Sequence, residues 1–288
     1  MKNRMPAVVA ATGVLVLTAL TGCSTSAAPI LQDVPEKNPA QWVMPMDQYV
    51  PADTVASDYA ENLLVQPCME AAGYAWSVPY RDITADSGPS WNAVQRKLFN
   101  VDLAKQVGYH AARSSDSSLA AWVDFSQQEV SPAMDAVLTD CIYAAREELP
   151  RLQSDADIAV SLGNAAYDAA MQEGSVKDAA SKWAACMQPA GVSDLPASPS
   201  EMPSSSLRAQ FDLDDPKSVA SPEEISLATR DADCQQSSGW LDSAYEEEWD
   251  KQLSMLEDNA DTLERVKATI EANRVSVYEV ISSNAPTS

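Results

Sequence analysis

The sequence predicts an all-α protein, built as two disulfide-stapled helical units followed by a long C-terminal helix. Three observations predict it. Helix-favouring Ala, Leu, Glu, Gln and Met abound, glycine (9) and phenylalanine (3) are scarce, and strand-like runs of β-branched and aromatic residues are nearly absent. Apolar residues recur at intervals of three and four along much of the chain. Four cysteines, Cys68, Cys141, Cys186 and Cys234, fall in a repeated helical motif.

The chain begins Met1-Lys2-Asn3-Arg4-Met5-Pro6, two cations without an acid, and continues in an apolar run from Ala7 to Leu20. That run is short of the ~20 residues a membrane-crossing helix needs and fits the apolar region of a signal peptide. It ends in Leu20-Thr21-Gly22-Cys23. These residues resemble the lipobox of bacterial lipoproteins, a branched apolar residue and two small ones before a cysteine. The resemblance implies that residues 1–22 are a signal peptide and that Cys23 carries diacylglycerol. It also implies that the rest of the chain stands on the extracytoplasmic face of the cell membrane. Two acyl chains hold such an anchor stably, where one is marginal.

Residues 23–52 are rich in Ser, Ala and Pro, with Pro29, Pro35, Pro39, Pro45 and Pro51. Prolines this dense oppose helix and favour extended chain, so the segment reads as a tether, with Trp42, Val43 and Met44 as candidates to dock on the domain. The first helical unit is expected over 53–150. Its helices fall over 55–72, with Pro67 a kink or restart and Gly73 a stop, then around 91–99, over 101–107 and over 118–129. Ser131-Pro132 opens another, serine as N-cap and proline in the first turn, whose stripe runs from Met134 to Ala145 and stops before Pro150.

The second unit, 151–236, holds helices over 157–171 and 176–188, then a Pro/Ser-rich link over 189–203 read as a mobile surface loop. Ser221-Pro222-Glu223-Glu224 has the form of a capping box, and Gly239 that of a break. The last segment, 237–288, is a long helix and tail. From Trp249 the series Leu253, Leu256, Ala260, Leu263, Lys267, Ile270, Arg274, Val277 and Ile281 advances in steps of four and three, a heptad seam. A helix over 240–283 is ~65 Å long, and its seam lies either on the protein's own core or on a partner.

Cys68-Met69-Glu70-Ala71-Ala72-Gly73 and Cys186-Met187-Gln188-Pro189-Ala190-Gly191 share Cys-Met-x-x-Ala-Gly. Cys141 and Cys234 each follow an aspartate on a helix with a proline-led start. An even cysteine count in an exported chain reads as disulfides, and the wide spacing with one histidine does not fit zinc. Of three pairings, duplication favours Cys68–Cys141 and Cys186–Cys234, each worth at most about 4 kcal/mol of loop-closure entropy. With these motifs the chain resembles a broad group of largely uncharacterised lipoproteins of high-GC Gram-positive bacteria. They carry paired Cys-Met-x-x-x-Gly units, a Gly-Tyr turn (here Gly108-Tyr109), an Asp-x-x-Cys helix and a long C-terminal helix. The resemblance covers residues 55–283, Trp183 and Glu224-Ile225 included. It implies an envelope location and helical architecture, and no activity.

Signals for chemistry are sparse. His110 is the single histidine, and no Gly-x-Ser-x-Gly elbow, phosphate loop or His-Glu-x-x-His occurs. The acid runs Glu147-Glu148, Asp212–Asp215 and Glu246–Glu248 read as solvated faces. Tyr74, Trp76, Tyr80 and Trp91 read as packing under a long loop, with a sugar or peptide groove as the other reading. Removing residues 1–22 takes away Lys2 and Arg4 and no acid, moving the formal charge from −23 to −25. Such a surface repels nucleic acid. No catalytic residue, metal or cofactor is expected. The expected function is a non-enzymatic, membrane-anchored module that binds or scaffolds an envelope protein or wall component, with the C-terminal helix as its contact. The alternative is a cell-wall hydrolase or accessory enzyme using paired carboxylates.

Overall fold

Local signals set the helix ends in the computed structural model, which describes residues 34–51, 54–85, 88–112, 114, 116–149, 156–215 and 217–286. Nine helices lie among them: α1 (Thr54–Ala71), α2 (Val101–Val107), α3 (Leu119–Ser126), α4 (Pro132–Glu148), α5 (Ala156–Met171), α6 (Gly174–Met187), α7 (Ser205–Gln210), α8 (Pro222–Ser237) and α9 (Trp240–Asn284). Asn100, Ser131 and Ser221 cap α2, α4 and α8, accepting from the amides of Leu103 (3.0 Å), Met134 (3.3 Å) and Glu224 (3.1 Å). Pro67 stays inside α1 without ending it. Gly239, at φ +75°, separates α8 from α9. Cys23 and the lipobox lie outside the described residues.

Two stretches differ from expectation. Residues 91–99 form a loop rather than a helix. The Asn92 carboxamide oxygen accepts from the amides of Val94 (3.1 Å) and Arg96 (2.8 Å), which withdraws them from helical bonding. The link over 189–203 is held down rather than loose: Pro199 is buried and Leu195 packs beside the Trp183–Met187–Cys234 cluster. It leads into α7, a short helix whose Leu207 is buried.

Cys68–Cys141 ties α1 to α4, and Cys186–Cys234 ties α6 to α8, each with Cα atoms 5.7 Å apart. The two motif methionines, Met69 and Met187, are both fully buried beside their disulfides. The units nevertheless interleave, because α2 from the first lies on α8 from the second, and α9 receives α1, α5, α6 and α8.

The seam of α9 is taken up by the protein itself. Leu256, Leu263, Val266 and Val277 are at most 1 % exposed. The heptad seam is followed to the end of α9, where Val277 is fully buried and Ile281 packs on the α1 cluster. It fails at one position, where Asn273 is buried in place of its neighbour Arg274, which is exposed and paired with Glu271. Lys267 reaches Gln48 (3.1 Å). The helix is kinked at Asn259, whose side chain donates to the Met255 carbonyl (2.8 Å).

Leu263→Ala is expected to lower stability by about 2–5 kcal/mol in urea unfolding, because the cavity opens under fully buried contacts. Arg274→Ala is expected to leave the unfolding midpoint where it was.

Candidate functional site

The outer part of the expected tether is part of the folded body. Pro39 and Pro45 keep residues 34–51 extended or in single turns, so their apolar side chains reach α9 instead of one another. Met44, Met46 and Tyr49 are buried, Met44 against Tyr245 and Trp249, Met46 and Tyr49 against Leu256 and Leu263. Polar bonds fix the register of this strap. Tyr245 donates to the Val43 carbonyl (2.8 Å) and accepts from the Asn38 amide (3.0 Å), and Gln252 accepts from the Met46 amide (2.9 Å). Trp42 meets Tyr245 edge to face, and Lys37 lies over the Trp249 ring.

Glu248 is the centre of this contact. Its side chain is wholly buried, and it accepts from Trp42 Nε1 (2.9 Å), Gln252 Nε2 (3.0 Å) and both terminal nitrogens of Arg96 (3.1 Å). The strap, the 91–99 loop and α9 therefore meet on one carboxylate. Glu248 is therefore not part of the solvated face that the acid run Glu246–Glu248 suggests. Glu246 is solvated and pairs with Lys37, Glu247 accepts from Ser175 (2.7 Å), and Glu248 faces inward. A usable signal was present: Tyr245, Glu248, Gln252 and Leu256 recur at helical spacing.

A pair of buried carboxylates, Glu224 and Asp231, organises the Gly108-Tyr109-His110 turn. Glu224 Oε1 accepts from the Tyr109 amide (2.8 Å) and lies 2.8 Å from His110 Nδ1. The capping box is thus only half formed: Ser221 caps α8, while the Glu224 carboxylate serves the turn. Gly108 has φ +61°, and a Cβ there would stand 2.4 Å from Glu224 Oε1, so both the conformation and the close approach demand glycine. One turn pair further along α8, Asp231 accepts from Trp183 Nε1 (2.8 Å), Gln235 Nε2 (3.0 Å) and the Tyr109 hydroxyl (3.2 Å). Burial pushes the Asp231 carboxyl up, against the lowering effect of those three bonds. Burial and Asp231 together push the Tyr109 hydroxyl up.

The aromatic group divides. Trp76 is buried against Phe125, and Tyr80 is 40 % exposed. Trp91 lines a cleft of about 570 Å³ with Arg81, Asp82, Ile83, Asn92 and Asp116. Arg81 and Asp116 form an ion pair at its wall, with side chains 10 % and 2 % exposed. The other Asp116 oxygen accepts from the Ser118 amide (2.8 Å) and hydroxyl (2.6 Å). Thr84, through its hydroxyl and amide, holds the Asp82 carboxyl below its usual range. Asp82 is therefore not arranged to hold a proton at neutral pH. Of the remaining acid runs, Glu147 and Glu148 are exposed, and Asp214 pairs with Arg208.

Among the described residues, no three His, Cys, Asp or Glu side chains converge as a metal site, and no helix is long and apolar enough to cross a membrane. No protein-family model, curated protein or solved structure matches the chain.

Two outcomes follow from the buried acids. Arg96→Ala is expected to cost roughly 3–5 kcal/mol in chemical unfolding at neutral pH, because it strands Glu248 without its cation. Asp231 has a folded pKa raised above its unfolded value, so ionisation opposes folding as pH climbs from the ordinary aspartate range through the folded pKa. The stability of Asp231→Asn relative to the unaltered protein is therefore expected to improve between pH 4 and 7. A flat difference across that range contradicts the assignment.

Proposed function

We propose that the protein is a lipid-anchored, extracytoplasmic module of the bacterial cell envelope that binds or scaffolds a partner without catalysing a reaction. The observation that carries this reading is the strap. An enzyme on a flexible leash has no need to bind the leash, whereas a scaffold that presents one face to a neighbour does. Here the leash is packed and hydrogen-bonded along the longest helix of the body. Val34 follows Cys23 by 11 residues, which allows a reach of at most about 40 Å from an acylated Cys23 to the strap.

Two further observations support it. Paired disulfides persist in an oxidising compartment, as expected outside the cytoplasm. The carboxylates along the Trp91 cleft and in the two buried networks act as hydrogen-bond acceptors that position neighbouring segments, and this favours binding over paired-carboxylate hydrolysis. The seam of α9 is covered by the chain itself, so a partner meets other surfaces.

Fractionation and mass spectrometry test the reading. The mature protein is expected in the membrane fraction with diacylglycerol on Cys23, and cross-linking there is expected to capture an envelope partner. Cys23→Ala is expected to move the chain out of that fraction and abolish the cross-link. An unmodified Cys23 thiol on the mature protein contradicts the anchor.

A further inference from the structure

A groove of about 580 Å³ runs between the turn after α6, α7 and the first half of α8. Its apolar floor includes Leu207 and Leu227, and Ser193 and Ser206 stand on its walls. The walls are fixed in advance. Asp194 accepts from the hydroxyls of Ser204 and Ser206 and from the Ser206 amide (2.9 Å), tying the turn to α7, and these bonds hold its carboxyl down at about 2. The Ser206 hydroxyl, which donates its hydrogen bond to Asp194, keeps a lone pair for a donor in the groove. The volume lies within the usual range for small-molecule sites.

Among the described arginines, Arg81, Arg96, Arg146, Arg208 and Arg274 are each paired with a carboxylate, and Arg265 donates to the Thr262 hydroxyl (3.0 Å). Arg230 has no carboxylate partner among the described residues; its guanidinium makes a long contact, 3.5 Å, with the Cys186 carbonyl. In a chain of formal charge −23, an arginine on a groove wall with no acid on it is a place for an incoming carboxylate. Glu223, seven residues earlier on α8, lines the same groove, and its nearest donor is Gln210 at 3.4 Å. Seven residues of helix rise ~10.5 Å. Three residues of extended peptide reach about the same distance.

We propose that this groove binds a short peptide with free termini, about three residues of small side chains, its ammonium on Glu223 and its carboxylate on Arg230. The ligand's side chains lie on Leu207 and Leu227, and a peptide N–H donates to the Ser206 hydroxyl. A dipolar ligand also suits the protein's acidity, because it carries no net charge to be repelled. The inference deepens the binding-module reading by naming a ligand class. Its test is indifferent to lipid on Cys23, so its failure is distinguishable from failure of the anchor.

The test is calorimetric titration of the purified full chain in detergent micelles at low salt, with trialanine and its N-acetylated and C-amidated forms. Trialanine is expected to bind saturably. Blocking either terminus, or introducing Glu223→Gln or Arg230→Gln, is expected to weaken binding about tenfold or more, the worth of one charge-assisted hydrogen bond. Both side chains are exposed, so thermal melting of the variants is expected to match the unaltered protein and to separate lost binding from lost folding. No binding of trialanine up to about 10 mM overturns the proposal. So does equal affinity for the blocked peptides, or equal affinity in both variants.

Discussion

A helix of 45 residues with a largely apolar stripe along its length cannot stand alone in water, and the rest of the fold is arranged to cover that stripe. Leu256, Leu263, Val266 and Val277 are buried along it, each worth roughly 1.5–3 kcal/mol when fully removed from water. α1 and α5 supply most of the cover, α6 and α8 flank it, and the strap closes the part facing Tyr245 and Trp249. The disulfides do a different job. They join the helices of each repeat to one another, while α9 joins the repeats together.

Burying a carboxylate costs free energy unless donors surround it, and among the described residues Glu248, Glu224 and Asp231 are wholly buried. Glu248 gathers the strap, the 91–99 loop and α9. Glu224 and Asp231 gather the Gly108 turn, α6 and α8. Each joins segments distant in sequence, and each sits where apolar packing alone would leave orientation free. Their common property is directional: a carboxylate with two to four hydrogen-bond partners accepts one arrangement of its neighbours, whereas an apolar contact tolerates sliding.

The helices and disulfides were legible because they rest on local or repeated signals. Ser131-Pro132 and Ser221-Pro222 name their helices, and the doubled Cys-Met-x-x-Ala-Gly motif names the pairing later found. The seam of α9 was legible from Leu256 to Val277, apart from Arg274, whose place in the buried stripe is taken by Asn273. What stayed hidden was long-range. Arg81 and Asp116 are 35 residues apart, Arg96 and Glu248 152 apart, and nothing local pairs them. The helix expected over 91–99 failed because one asparagine side chain outcompeted the backbone. The Arg230–Glu223 groove had a faint signal, opposite charges two turns apart on one helix, but part of its floor, Leu207, comes from α7, a helix with no signal of its own in the sequence.

The central claim is that residues 38–49 belong to the folded body through α9. Amide hydrogen exchange of the full chain followed by peptide mass analysis tests it most directly. The amides of Val43, Met44, Met46 and Tyr49 are bonded to Asn38, Asp47, Gln252 and Met46 respectively, so the strap is expected to exchange far more slowly than an unstructured chain. Protection there should fall in Glu248→Ala while that of α4 persists. Exchange of the strap at the rate of an unfolded peptide, with α9 fully protected, would contradict the claim.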